Sequence, residues 1–475
     1  MKYFADIHTH PTMKSYGQSF PLKENSKKIS SKSSIWYYDP PNLFDKFIEL
    51  LGGIVKYRQS SFSSMGFGNT GIVFASLYPV ERGFFDNKLG KGDFNDMLLN
   101  FVTSVGKKRI DFIQSITDYF PDLENEYHFL KQMDGQTVKL ADRSFYKYGI
   151  ARNATDVDTI LNLDTLQEKK ANAIAVILTI EGAHVFGTGI KPQTNPANRN
   201  YVLGNVDKVK NWEHRPVFIG LAHHFYNELC GHAQSLTGIV KKATDQTYMM
   251  NTGFTQLGKE VVDKLLDNSE GKRILIDIKH MSRTSRLEYF NMLETKYKEE
   301  DIPVIVSHGA VIGGAKDKHL FLDDDINFYD DEIIEVARTN GLFGLQLDER
   351  RIAAAGDTQL KKSHALERRK ALFHSSLLAW RQIQHIAELL DSNGLFAWGI
   401  QSLGSDYDGM INPINGYLTA ENYPTLSDYL LMQAHNYMKA NSGKLSQPYN
   451  RIDPEEIVNR IMGENAYHFL KKYYL

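Results

Sequence analysis

The sequence predicts an α/β fold: a (β/α)8 TIM barrel with large insertions after its first and second strands. Three observations predict it. Eight short apolar runs recur along the 475 residues, the later ones alternate with helix-patterned segments, and residues able to bind metal cluster at the ends of those runs. Apolar runs bounded by polar residues or glycine read as strands buried on both faces, the mark of a parallel sheet sheathed in helices. Strand and helix in alternation, eight times over, close into a barrel.

The strands are read at KYFADIH (2–8), GIVFASLYP (71–79), AIAVILTIEG (173–182), PVFIGLAHH (216–224), RILIDIKH (273–280), IPVIVSH (302–308), GLFGLQL (341–347) and FAWGIQSLGSD (396–406). Helices follow at GFTQLGKEVVDKLLDN (253–268), RTSRLEYFNMLETKYKE (283–299) and DEIIEVARTN (331–340). The last has Asp330 or Asp331 as its N-cap and Gly341 past its end. A longer helix near 360–392 carries Leu372, Leu377, Ile383 and Ile386 at helical spacing. The regularity breaks at about 12–70 and 81–170, longer than a crossover helix requires. These segments are insertions into one barrel domain spanning 1–475, and they should rise over the face where barrel enzymes keep their sites. The Lys- and Ser-rich stretch 25–34 reads as a solvated loop. Gly66, Gly68 and Gly71 lack the remainder of a phosphate-binding loop.

Composition narrows the function classes. Hydrophobic residues at 42% and charged residues at 24% describe a globular protein with a substantial core. Basic and acidic side chains, 55 and 57, nearly cancel to a net charge of -2, so nothing calls for nucleic acid or an anionic membrane. The single cysteine, Cys230, excludes an intrachain disulfide framework and a cysteine-rich zinc module. Any metal must therefore rest on His, Asp and Glu. A strand at residues 2–8 leaves no room for a cleavable leader, and no run of about 18 apolar residues is present. The expectation is a cytoplasmic protein acting on a small molecule, with homodimerisation left open.

The strand ends carry the chemistry. In ADIHTHPT, Asp6, His8 and His10 are spaced by single residues, so both imidazoles share one strand face. Alone, the pair reads equally well as two polar residues on a solvated edge. The third strand, however, ends in Glu181, the fourth in His223 and His224, the fifth in His280, the sixth in His308 and the eighth in Asp406. Any one of these histidines taken singly would be an ordinary core residue bonded to a carbonyl. Together they fit two divalent metal ions, with zinc expected: His8 and His10 on one, His280 and His308 on the other, Glu181 between. Such a pair makes a bridging water acidic, and Asp406 can take its proton and pass it to a leaving nitrogen.

The motifs IEGAH (180–184), LIDIKHMS (275–282), PVIVSHGA (303–310) and GSDYDG (404–409), with GFTQLGKEVV (253–262) and IMGENAYHFL (461–470), resemble in order those of the membrane dipeptidase (renal dipeptidase) family of the amidohydrolase superfamily. DIHTH (6–10) resembles the H-x-H first-strand signature of amidohydrolase-superfamily barrels, which by itself it shares with phosphoesterases of the polymerase and histidinol phosphatase type and with TatD-like nucleases. The resemblance implies a binuclear zinc barrel that hydrolyses dipeptides, with Glu181 as bridging carboxylate, His280 and His308 as second-site ligands and Asp406 as acid/base. LAHH (221–224) looks like the family's T-H-N segment, which implies that His223 contacts the tetrahedral oxyanion. His224, Asn227 and His232 receive no role. Two departures stand out: His10 replaces an aspartate, and the arginine that binds the substrate's α-carboxylate is missing. Lys316 and Lys318 stand in its region as point charges without the bidentate fork. The leading expectation is a zinc-dependent hydrolase of a dipeptide or related small amide. Hydrolysis of a lactone, cyclic amide or phosphoester is the alternative, and a non-catalytic metal-binding barrel is a third reading.

Overall fold

Eight parallel strands run around a barrel in the computed structural model, which describes residues 3–46, 55–85, 104–161, 173–237, 240–241, 244–314, 318–354, 357, 367–441 and 444–475. They are β1 (Phe4–Thr9), β2 (Thr70–Leu77), β5 (Ala173–Ile180), β6 (Phe218–Gly220), β7 (Leu275–Asp277), β8 (Ile305–Gly309), β9 (Leu342–Leu345) and β10 (Gln401–Leu403), hydrogen-bonded in that order. Each falls on one of the eight predicted runs. β2 and β5 pair from Ile72↔Ala175 to Leu77↔Ile180 and are buried throughout, which is why their sequences are almost uninterrupted apolar runs. The ring closes just beyond β10. Thr9 and Tyr407 form a parallel bridge, the Asp406 N–H donates to the His8 carbonyl at 3.0 Å, and the His10 N–H donates to the Tyr407 carbonyl at 2.9 Å. At the opposite end Arg460–Glu464, with Ile461 and Met462 buried, packs against β1 and β10 and floors the barrel.

Helices sheathe the sheet. Gln256–Leu266 and Arg283–Thr295 lie within their predicted spans, the first starting three residues later than predicted and the second on its predicted residue; they are capped by Thr255 and Ser282, whose side chains accept from the N–H groups of Gly258 and Ser285. The helix expected at 331–340 is Asp330–Arg338, and its cap is Tyr329 rather than an aspartate. Glu332 reaches back to accept from the Tyr329 N–H at 2.9 Å, so Asp330 becomes the first helical residue. The left-handed position after this helix is Asn340, at φ 52°, and Gly341 is needed for space instead: a Cβ there would lie 1.9 Å from the Val304 carbonyl oxygen. The long helix runs Arg368–Ser392, while 360–366 of its predicted start lie outside the described residues.

The second insertion holds strands that the eight-run reading left out. β3 (Val138–Lys139) and β4 (Phe145–Ile150) form an antiparallel pair, and β4 also pairs parallel to β5 from Lys147↔Ala173 to Ile150↔Val176. Tyr146, Tyr148 and Ile150 alternate into the core. A helix of the same insertion, Phe120–Lys131, clamps the mouth: Glu126 accepts from the Thr12 hydroxyl at 2.6 Å and from the Tyr78 N–H at 2.9 Å. Beside it Arg109 grips Asp122 with two bonds of 2.7 and 2.6 Å, and Tyr16 adds a third at 2.9 Å. Among the described residues no helix is long and apolar enough to cross a membrane.

Candidate metal centre

The ends of the strands turn their last side chains into one buried cluster. His8 and His10 sit on the same face of β1 with ring centroids 4.9 Å apart, where the register with β2 is irregular. His223, His280 and Asp406 lie beyond the paired parts of β6, β7 and β10, so the predicted strands ran too far at these three ends. His280 and Asp406 both adopt left-handed backbone, φ 66° and 61°. For residues other than glycine this costs about 1–2 kcal/mol each, and here it accompanies the turn of each chain segment at the rim.

Two aspartates explain how the histidines are held. Asp6, two residues before His8, accepts from the N–H groups of His8 (3.1 Å) and Ser405 (3.0 Å), from the Ser405 hydroxyl (2.5 Å) and from the Tyr423 hydroxyl, stitching β1 to the end of β10. Asp277, three residues before His280, accepts from the N–H groups of Lys279 and Ser307, each at 3.0 Å, and stitches β7 to β8. The Asp-Ile-His and Asp-Ile-Lys-His strings thus use their aspartates for strand alignment and their histidines for the mouth.

Glu181 is the centre. Its Oε2 lies 3.0 Å from His10 Nε2, and its Oε1 lies 3.5 Å from His8, 3.5 Å from His223, 3.2 Å from His280 and 3.6 Å from His308, each measured to Nε2. Asp406 faces it: Oδ1 is 3.8 and 3.6 Å from the Nε2 atoms of His8 and His10, and Oδ2 is 3.9 Å from that of His308. All of these side chains are buried, and among the described residues both ring nitrogens of His8 and His10 and Nδ1 of His280 find no hydrogen-bond partner. Buried polar atoms are almost always satisfied, so a cation is the fitting partner for such an orphaned donor set. Groups of three with ligand atoms within 4.8 Å of one another are His8–His10–Glu181, Glu181–His280–His308, His8–His308–Asp406 and His223–His224–His280.

Charge agrees with this. Burial would push Glu181 up, yet the imidazoles of His223, His8 and His10 hold it well below the usual carboxylate range. Burial drives His280 down to about 3, with His223 beside it adding to the effect. His308 is likewise held low by burial and by His8. Metal binding requires neutral imidazole and ionised carboxylate, and those are the states favoured for these three. His10 goes the other way, to about 10: burial opposes, but its contacts with Asp406 and Glu181 win. A bound cation would take the place of that extra proton.

Two residues at the mouth escaped sequence reading. Glu81, just past β2, is buried and lies 2.6 Å from His223 Nδ1, while its other oxygen accepts from the Phe225 N–H at 3.0 Å. Burial would raise it, but the charge of His223 and the bond between them bring it to about 2. Gln346, at the end of β9, donates to Asp406 Oδ2 at 2.8 Å. With them, the ends of all eight strands contribute. Of the residues without a role, Asn227 holds its own loop through the Leu221 carbonyl and the Leu229 N–H, and His232 bonds the Gln246 carbonyl at 2.9 Å. Lys316 lies outside the described residues, and Lys318 opens the short 3-10 turn Lys318–Leu320.

A parallel barrel whose mouth gathers imidazoles around a buried carboxylate defines a class, that of the metal-dependent hydrolases. The chain belongs to the membrane dipeptidase family, peptidase family M19, whose sequence profile matches residues 119–442. It is accordingly a metal-dependent, dipeptidase-like hydrolase. Solved structures share the fold across nearly the whole chain. A metallopeptidase from Rhodobacter sphaeroides, crystallised with a phosphinate mimic of the dipeptide L-Ala-D-Ala, superposes with a TM-score of 0.55 at 14% identity, covering 99% of each chain. The dipeptidase AC of family M19 gives 0.54 at 13% identity, covering 99% of this chain and 98% of its own. The probable dipeptidase PvdM from Pseudomonas aeruginosa gives 0.51 at 14% identity over 96% of each. No curated protein matches the chain.

Proposed function

We propose that the protein is a zinc-dependent hydrolase that cleaves a dipeptide or a related small amide. The observation that carries this reading is the convergence of four histidines from β1, β7 and β8 on the two oxygens of Glu181, opposite Asp406. His8 and His10 would hold one divalent ion, His280 and His308 the other, and Glu181 would serve both. Bound there, two such ions supply Lewis acidity toward a substrate carbonyl and lower the pKa of water.

The chain's own groups supply the rest. Asp406 is the general acid/base: Gln346 fixes its Oδ2, and Oδ1 is turned toward the His8 and His10 side, where a proton can be held and passed on to the departing amine. His223 is the donor to the oxyanion, with its ring fixed through Nδ1 by Glu81 and its Nε2 facing the centre. Lys316 and Lys318 are the cations for the substrate's carboxylate, a part given to arginine elsewhere in the family. A dipeptide also supplies what a lone amide lacks, a carboxylate for those lysines to meet.

Metal analysis of the purified protein with a panel of dipeptides, lactones, cyclic amides and phosphoesters tests the reading. The expected result is about two divalent ions per chain, with turnover confined to amides. Replacing both lysines by alanine should raise KM for dipeptides about tenfold and leave amides without a carboxylate unaffected. Turnover of lactones or phosphoesters alone would overturn the assignment.

A further inference from the structure

His224 is not needed by the centre as described, and the structure gives it a place there. It follows His223 at the end of β6, with the two ring centroids 3.8 Å apart and that of His280 at 5.1 Å from His224 and 4.6 Å from His223. One ligand nitrogen from each of the three lies within 4.8 Å of the others. Nitrogens bound tetrahedrally to one ion at 2.0–2.1 Å stand about 3.3 Å apart, so small side-chain adjustments would bring those of His224 and His280 together.

The far edges of the His223 and His224 rings are already held, and for His224 this is what a ligating imidazole requires. Glu81 holds Nδ1 of His223 at 2.6 Å. The Ser235 hydroxyl lies 2.6 Å from Nδ1 of His224 and is itself fixed at 2.8 Å by the amide of Gln246. Phe84 packs edge-on against the His224 ring at 5.0 Å. That leaves Nε2 of His224 as the nitrogen open to an ion. In His280, which is buried, Nδ1 has no hydrogen-bond partner among the described residues.

We propose that His224 is a further metal ligand, its Nε2 joining the ion of the Glu181, His280 and His308 group from the side of the His223, His224 and His280 group, with Nε2 of His223 kept for the oxyanion. His280 belongs to both groups, so the ion it holds draws on nitrogen donors from either side. A nitrogen-rich shell of this kind favours late first-row divalent cations such as Zn2+, Co2+ and Ni2+ over Mg2+ and Mn2+. This inference rests on the two-ion reading above.

The test strips the full chain of metal, then titrates Zn2+ against a chromophoric chelator and records Co2+ absorption spectra, for the parent and for His224→Asn and Ser235→Ala. The parent should take two equivalents. His224→Asn should bind the first as the parent does, with its second weakened 10- to 100-fold and the Co2+ bands of that equivalent altered. Ser235→Ala keeps the imidazole and should weaken the second equivalent by less, which guards against a folding defect in the asparagine variant. A parent with two equivalents and a His224→Asn variant of the same affinities and spectrum would overturn the role of His224 alone. A parent binding fewer than two would overturn the two-ion centre and this inference with it.

Discussion

Replacing Glu81 by glutamine tests the least conspicuous part of the site. The carboxylate accepts from His223 Nδ1, from the Phe225 N–H and, at 3.1 Å, from the Tyr78 hydroxyl. Glutamine has only one acceptor oxygen, so its amide N–H must meet a donor on one side or the other. Holding the carboxyl at about 2 instead of its ordinary 4.5 corresponds to on the order of 3 kcal/mol of stability. Because the folded-state value is depressed, that contribution is complete above about pH 4.5 and disappears as the pH falls toward 2. Urea denaturation of metal-free parent and Glu81→Gln between about pH 3.5 and 7 should show the variant less stable by about 2–3 kcal/mol near neutrality. The gap should narrow as the medium becomes more acid. A gap that stays constant with pH, or a variant as stable as the parent at pH 7, would refute the charged Glu81–His223 pair.

Asp406→Asn should keep both metals and lose about 10²- to 10⁴-fold in turnover; equal turnover with full metal content would remove it as acid/base. Gly344→Ala places a Cβ 1.9 Å from the Ser307 carbonyl oxygen, next to His308. It should lower stability by about 1–3 kcal/mol, and an unchanged melting temperature would show that β8 yields there. Arg109→Ala leaves Asp122 buried without its counter-charge and should cost about 3–5 kcal/mol. An unshifted denaturation midpoint would mean that this corner of the insertion is decoupled from the barrel.

What could be read from the sequence follows the physics of each element. All eight barrel strands were legible because a strand covered on both faces has no polar alternation to hide it, as Ala173–Ile180 shows. β4 was passed over because Phe145–Ile150 lies within an insertion and alternates exposed with buried residues, unlike the barrel runs. The ends at His223, His280 and Asp406 were drawn too long because apolar content continues past the point where pairing stops and the chain turns away. Glu181 and the histidines were visible because each is a metal-capable residue at the end of an apolar run. Glu81 was not, since its meaning depends on His223, 142 positions away. Gln346 carries no charge and matches no pattern, and only the fold sets it against Asp406. Tyr329 displaced the aspartates as cap because Glu332 could satisfy the preceding N–H from inside the helix.

The join between β1 and the stretch after β10 has a consequence for breathing of the ring. The backbone bonds at Asp406 and His10 and the anchorage at Asp6 hold that line, and the residues they fix are the ones whose side chains meet at Glu181. A cation held by His8 and His10 would rivet the same line from the mouth. Deuterium uptake in the stripped protein should therefore begin along this join, and metal should slow it there before anywhere else.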